Sequence, residues 1–227
     1  MAFILHIDSA TENASVCISE NEKLLALEES KIQKDHSSFL QPAIKKLLIT
    51  TNHQPSEIDA IAVTAGPGSY TGLRVGLSSA KALCYALNKP LILLNTLEVM
   101  AQSQIENGEW KMEDILFCPM IDARRMEVFT AIYNKNLQPV LLPLAMILNE
   151  NSFANLLDKN TIIFFGSGHQ KLKNILHNSN AIFSNCKYNA CNLIHLAYNA
   201  FIQHQFADLA YSEPFYLKEF FSSNFKK

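Results

Sequence analysis

The alternation of apolar and polar positions over the first thirty residues predicts three short strands, at 3–8, 14–19 and 23–30, separated by the polar turns 9–13 and 20–22. The period then lengthens. Phe39, Leu40, Ile44, Leu47 and Leu48 recur at helical spacing and predict a helix over about 38–48, with Ser38 placed to cap it. An apolar run at 60–63 ends in Gly66-Pro67-Gly68, a helix from Gly72 to Leu87 follows, and a strand at 91–94 leads into a helix from about Thr96. The later part repeats the scheme: strands at 116–122, 127–133 and 138–142, a helix near 152–157, a strand at 161–165 running into Gly166-Ser167-Gly168, and a helix over 169–176. An Asn/Ser-rich segment at 178–192 reads as loop and short strand before a last helix at 193–204, and the aromatic tail 210–225 is expected to pack rather than dangle.

Both copies open with three antiparallel strands that begin on an Ile-Asp pair, Ile7-Asp8 and Ile121-Asp122, and continue with alternating helices and strands. That order predicts an α/β protein of two duplicated actin-like, sugar-kinase-like half-domains (the ASKHA, ribonuclease H-like architecture), residues 1–105 and 106–227, each a five-stranded mixed sheet flanked by helices. The cleft between the halves is then the default ligand site. There the first hairpin, from Asp8 to Glu12, and the glycine turns would surround a nucleotide phosphate.

The turn Gly66-Pro67-Gly68 and the helix after it carry the sharpest local signal. A glycine turn at a helix start can aim free amides at a phosphate, yet it serves equally as a purely structural turn, and the Lys of a P-loop is missing. Along the helix Gly72, Gly76 and Ala80 recur at i, i+4 and i+8 as a smooth ridge beside an apolar stripe of Leu73, Leu77, Ala80, Cys84 and Leu87. A glycine inside a helix costs about 1 kcal/mol against alanine, so a closely approaching backbone should compensate. That neighbour is either another element of the same chain or a helix of a second protein.

Composition narrows the function classes. The net charge is −2 over 227 residues, and no basic run exceeds the pairs Lys45-Lys46, Arg124-Arg125 and Lys226-Lys227, which argues against a stand-alone nucleic-acid binder. The chain opens directly on a strand without a charged leader, and its longest apolar run, 140–148, contains Pro143 and is too short to span a bilayer, so a cytoplasmic protein without membrane partners is expected. The five cysteines form no CxxC, and the three in apolar strand or helix patterns read as reduced, small core residues. Cys186, Cys191 and His195 alone approach metal spacing, and a fourth ligand is not evident.

Ile7-Asp8-Ser9, His36-Ser37, the run from Gly66 to Gly76 (GPGSYTGLRVG), Leu94-Asn95-Thr96-Leu97-Glu98, Ile121-Asp122-Ala123-Arg124-Arg125 and Tyr216-Leu217-Lys218 together resemble the TsaB (YeaZ) family, essentially from end to end. The resemblance implies a part in bacterial synthesis of threonylcarbamoyladenosine next to the anticodon of tRNAs reading ANN codons. The implied role is non-catalytic: a scaffold or activator that forms a heterodimer with its paralogue, the TsaD transferase, is joined by the TsaE ATPase, depends on TsaC for the threonylcarbamoyl-adenylate, and meets tRNA indirectly through the complex. Without its partner it is expected to form a homodimer. The partner surface is expected at Phe39, Leu40, Ile44, Gly72, Leu73, Gly76, Leu77 and Ala80.

The transferase paralogue carries two metal-binding histidines in the pattern N-H-x-E-G-H, where this chain reads Asn95-Thr96-Leu97-Glu98-Val99-Met100. Thr96 and Met100 therefore replace both ligands, no metal or required cofactor is expected, and Glu98 reads as a solvated or capping side chain. Asp8, Ser9, Thr11, Gly66 and Gly68 form at most a vestigial nucleotide cleft that binds ATP or ADP weakly, because Ser9-Ala10-Thr11 is bulkier than the glycine-containing turn of hydrolytic relatives. The Arg124-Arg125 pair could neutralise a phosphate, though an ion pair with Asp122 is the expected use. Two other functions are weighed, a nucleotide-hydrolysing enzyme and a peptidase, and the sequence lacks both HExxH and a nucleophile elbow.

Overall fold

The computed structural model describes residues 1–30, 32, 35–108, 110, 114–185 and 187–218. The first sheet is built from β1 (Phe3–Asp8), β2 (Ser15–Glu20), β3 (Lys23–Glu29), β4 (Ala60–Gly66) and β5 (Leu91–Asn95), in the order β3-β2-β1-β4-β5. Strands β1 to β3 are antiparallel, and β4 and β5 run parallel to β1. The second sheet repeats this with β6 (Ile115–Asp122), β7 (Glu127–Tyr133), β8 (Pro139–Ile147), β9 (Thr161–Phe165) and β10 (Ala181–Phe183), in the order β10-β9-β6-β7-β8. Three antiparallel strands and two parallel ones in each sheet make this a pair of actin-like, sugar-kinase-like half-domains, as the repeated strand order in the sequence predicts.

The central strands β1 and β4 are buried along their whole length, because elements cover both faces of the sheet. On one face lie α1 (His36–Thr51) and α2 (Tyr70–Leu87), with Leu40, Ile44, Leu47 and Leu77 meeting Leu5, Ile7, Ile61 and Val63. Both helices stop at an asparagine in the left-handed conformation, Asn52 and Asn88. The opposite face is covered by α6 (Ile194–Ile202), whose Ala197 and Ala200 pack with Ile4, Ala62 and Ile92. This last helix thus returns from the second half of the chain to the first sheet. Helix α3 (Thr96–Asn107) joins the halves: Val99 belongs to the core with Ile92 and Leu94, whereas Leu97, Met100 and Ala101 belong to that of Phe117, Ile163 and Phe165. Two short helices, α4 (Ala154–Leu157) and α5 (His169–Lys173), complete the second half.

Several boundaries differ from the sequence pattern for identifiable reasons. Helix α1 begins at His36 and takes Asp35, not Ser38, as its N-terminal flank, and the Ser38 hydroxyl instead donates to the Asp35 carboxylate. Ser69 caps α2, so that helix starts before Gly72. Strand β8 extends to Ile147 through Pro143, which an edge strand tolerates because its outer N–H has no ladder partner. Of the aromatic tail, residues 210–216 pack back on the first half through Lys81, Ala65 and Arg74, Lys218 pairs with Glu127 of the second half, and 219–225 lie outside the described residues. Among the described residues no helix is long and apolar enough to cross a membrane.

Candidate functional site

The hairpin between β1 and β2 seats directly on the glycine turn that follows β4. Ser69 N–H donates to the Ala10 carbonyl at 2.7 Å, and the Ser9 hydroxyl donates to the Gly72 carbonyl at 2.8 Å. A Cβ on Gly68 would stand 2.2 Å from the Ala10 carbonyl oxygen, one on Gly72 would stand 2.1 Å from that of Ser9, and one on Gly76 would stand 2.2 Å from Ser9 Oγ. The neighbour that the helix-interior glycines require is therefore the chain's own hairpin. One amide of the turn is already used by that hairpin rather than left free for an anion.

This corrects the expected partner surface. Leu40, Ile44, Gly72, Leu73, Gly76, Leu77 and Ala80 are all buried inside the fold, and of that set only Phe39 reaches the surface, in part. A second small-residue stripe at the same spacing, Ser78, Ala82 and Ala86, is exposed along the outer face of α2, beside Tyr85 at 83 % exposure. Spacing alone does not distinguish the two stripes. The glycines mark the inner one because only there does a backbone approach.

Asp8 closes β1 and is 1 % exposed. Its Oδ1 accepts hydrogen bonds from Thr64 Oγ1 at 2.7 Å and from Ala10 N at 3.2 Å. Burial nevertheless outweighs these bonds and pushes the carboxyl up to about 6. The Tyr188 hydroxyl comes up to both Asp8 and Thr11 without closing a hydrogen bond to either, and burial first, then the Asp8 charge, pushes its phenol well above the ordinary range. Gly66, with φ of 120°, faces the tail: a Cβ there would meet the Phe215 carbonyl oxygen at 2.4 Å, and Phe215 N–H donates to the Ala65 carbonyl at 2.6 Å. Asp8, Ser9, Thr11, Gly66 and Gly68 thus do converge, and Tyr188, Phe215 and the hairpin backbone press on them. Tyr188 and Phe215 were not legible as site residues, since neither sits in a periodic segment.

The equivalent corner of the second half is polar and open. Asp122 pairs with Lys171 at 2.7 Å, its Oδ1 accepts from Arg124 N at 2.6 Å, and its own N–H donates to Ser167 Oγ at 3.0 Å. Partial burial opposes the charge on Asp122, but Lys171 and the Arg124 amide prevail and hold its carboxyl below the usual range. The expected Asp122–arginine ion pair is corrected accordingly: Lys171 is the partner, and both arginine side chains are exposed. In α3, Thr96 is buried with its hydroxyl unpartnered, and the Met100 methyl group packs against Gly166, within 2.5 Å of where a Cβ would be. Glu98 is not a solvated side chain. It is half-buried and pushed up by burial, and its charge, after burial, raises the Tyr133 phenol.

Cys186 lies outside the described residues. Cys191 packs beside Cys17, whereas the His195 ring faces Glu22 at 2.5 Å and Asn199 at 3.0 Å, so these two do not converge on one ion. No group of three His, Cys, Asp or Glu among the described residues is placed to hold a metal.

A family model described as "TsaD: tRNA N6-adenosine threonylcarbamoyltransferase" matches residues 30–220. The chain is 34% identical over 130 residues to a Bacillus subtilis protein named tRNA threonylcarbamoyladenosine biosynthesis protein TsaB, an alignment covering 57% of this chain and 54% of that protein. The Escherichia coli protein of the same name is 33% identical over 134 residues, covering 59% and 55%. These alignments span little more than half the relatives' length. A tRNA N6-adenosine threonylcarbamoyltransferase from Zymomonas mobilis is 33% identical over 114 residues, 43% of this chain and 31% of that enzyme. Among solved structures, YeaZ from Pseudomonas aeruginosa superposes with a TM-score of 0.78 at 22% identity, covering 96% of this chain and all of that one, which shows a shared fold. With the duplicated half-domains, the GPGSYTGLRVG turn and these relatives in agreement, the chain belongs to the TsaB (YeaZ) family, within the wider transferase group that the TsaD model describes.

Proposed function

We propose that this protein is a non-catalytic subunit of the complex that transfers a threonylcarbamoyl group to the adenosine beside the anticodon of tRNAs reading ANN codons. The observation that carries this reading is the packing at Thr96 and Met100. Where the transferase paralogue has two imidazoles facing one ion, this chain has a buried hydroxyl and a thioether whose methyl group is wedged against Gly166, and neither can make that pair of ligands. The first-half cleft supports the same view, because Tyr188 and Phe215 press on the residues that would otherwise meet a nucleotide, leaving at most weak binding of ATP or ADP.

A protein without chemistry of its own acts by binding, and it can shift the transferase between states only through its different affinity for them; a hundredfold bias corresponds to about 3 kcal/mol. The surface available for this is the outer face of α1 and α2: Ser78, Ala82 and Ala86 flanked by Tyr85, with Ile49 of α1 at 69 % exposure. Its small residues allow a partner helix to approach closely. On this reading a TsaD transferase docks there in the cytoplasm, a second copy occupies the same face when the transferase is absent, and TsaE and TsaC act with the assembled pair. Size-exclusion chromatography with the transferase tests the surface. Wild type co-elutes as a heterodimer, while Ala82→Arg, on an exposed position, elutes apart with unchanged circular dichroism; co-elution of the variant at wild-type affinity refutes this face.

A further inference from the structure

The hairpin joining β6 to β7 has a composition at odds with its backbone. Arg124 and Arg125 are consecutive and both left-handed, with φ of 71° and 48°, where Asn or Gly is the ordinary choice. The hairpin is nevertheless pinned on every side: Ala123 N–H donates to the Glu127 carbonyl at 3.1 Å, Glu127 N–H to the Arg124 carbonyl at 3.0 Å, and Leu148 N–H to the Met126 carbonyl at 2.7 Å. Lys171 further joins Asp122 to the Glu127 carbonyl, at 2.7 and 3.0 Å. The backbone of the tip is therefore pinned, and it carries two exposed arginine side chains.

The local carboxylates are already neutralised. Asp122 is taken by Lys171 and Glu127 by Lys218 of the tail, each within 2.7 Å. Among the described residues four cations thus face these two carboxylates, and neither arginine has an ion-pair partner. At physiological salt, carboxylates farther than about 8 Å away do little to offset them. The tip, beside which Met126 and Ile147 are exposed, carries two guanidinium groups with no carboxylate partner among the described residues, and such charges are costly to bury unpaired in a protein–protein contact. The tip suits a wet, polyanionic backbone, on which each guanidinium forks onto phosphate oxygens.

We propose that Arg124 and Arg125 are a phosphate-contacting finger through which this subunit, once paired with the transferase, touches the tRNA backbone directly. The inference rests on the proposed role in tRNA modification. It adds to that role a direct contact that a purely indirect scaffold would not make.

The test uses the heterodimer with transferase and an unmodified tRNA transcript, measuring affinity by fluorescence anisotropy across a series of salt concentrations. In Arg124→Asn/Arg125→Gly the charges are removed while the turn receives residues that its backbone prefers, so the fold is protected; Arg124→Lys/Arg125→Lys keeps the charge. The Asn/Gly variant should bind tRNA about 3- to 10-fold more weakly, with the slope of log K against log salt shallower by about 1 to 2, and the Lys variant should lie near wild type. Unchanged affinity and slope in an intact Asn/Gly heterodimer overturn the finger. Loss of the transferase from the Asn/Gly variant overturns it as well, by assigning the hairpin to a protein interface. If the wild-type chain neither binds the transferase nor raises adenosine modification, the proposed role itself fails, an outcome distinct from a working complex with an indifferent hairpin.

Discussion

Replacing Gly76 by alanine should destabilise this protein even though it removes a helix-interior glycine, and replacing Ser9 as well should undo the damage. The new Cβ would stand 2.2 Å from Ser9 Oγ, an overlap that the backbone of α2 cannot relieve, whereas its next neighbours, Ser9 Cβ at 3.4 Å and Val63 Cγ2 at 3.5 Å, are ordinary contacts. Ser9 must rotate or shift, losing its 2.8 Å bond to the Gly72 carbonyl at a cost of about 1 kcal/mol, with about 2 kcal/mol more from overpacking. The gain in helix propensity returns about 1 kcal/mol, so the net loss is about 2 kcal/mol, or about 4–8 °C in melting temperature for a chain of this size. In Ser9→Ala/Gly76→Ala the clashing oxygen is gone and the propensity gain remains, so the double variant should melt within about 2 °C of wild type. Ser9→Ala alone loses the same bond, about 1 kcal/mol, so the four-protein cycle, read by urea denaturation, should give a coupling of about 3 kcal/mol. Additive effects, or a Gly76→Ala variant more stable than wild type, would refute the account of why this helix carries glycine.

Asp8 should make the protein less stable as pH rises. Its folded carboxyl titrates at about 6 against an ordinary 3.8, so between those values the folded state holds a proton that the unfolded state has lost, and above about 6 the buried charge costs about 3 kcal/mol. Asp8→Asn should therefore flatten the fall in urea midpoint between pH 4 and pH 7.5, and an unchanged pH profile would count against the burial argument. Ending the chain after Leu209 removes the Ala65–Phe215 bond and the Lys81 bonds to the Ala210 and Ser212 carbonyls, and should lower the melting temperature by about 4–8 °C; no change would mean that the tail does not strap the first half.

What the sequence reveals and what it hides follow from whether a signal is local. The strands announce themselves because Phe3–Asp8, Ala60–Gly66 and Thr161–Phe165 are short apolar runs bounded by turn residues, and the repeated order of elements implies two sheets of one topology. Gly72 and Gly76 announce a close approach, but which backbone approaches is a tertiary fact, and the answer, the hairpin at Ser9 and Ala10, lies more than sixty residues upstream. The competing exposed stripe, Ser78-Ala82-Ala86, has the same periodicity and no glycine, so nothing local distinguishes it as the outer face. Tyr188, Phe215, Lys171 and Lys218 reach the cleft corners from irregular segments or short helices, where no periodicity points a side chain anywhere. The Arg124-Arg125 pair was visible, and its lack of an acidic partner was not, because Asp122 had to be seen bound to Lys171.

Whether this subunit acts through its outer α1–α2 face and not through its cleft is decided by quantifying threonylcarbamoyladenosine by nucleoside mass spectrometry in a reconstituted reaction with the transferase, TsaE, TsaC and tRNA. Ala82→Arg should reduce the modified nucleoside to the level reached with this subunit omitted, while Asp8→Asn should stay near wild type. If Asp8→Asn abolishes modification in a protein that still folds and still pairs, and Ala82→Arg supports it fully, the cleft carries the function and the account is wrong.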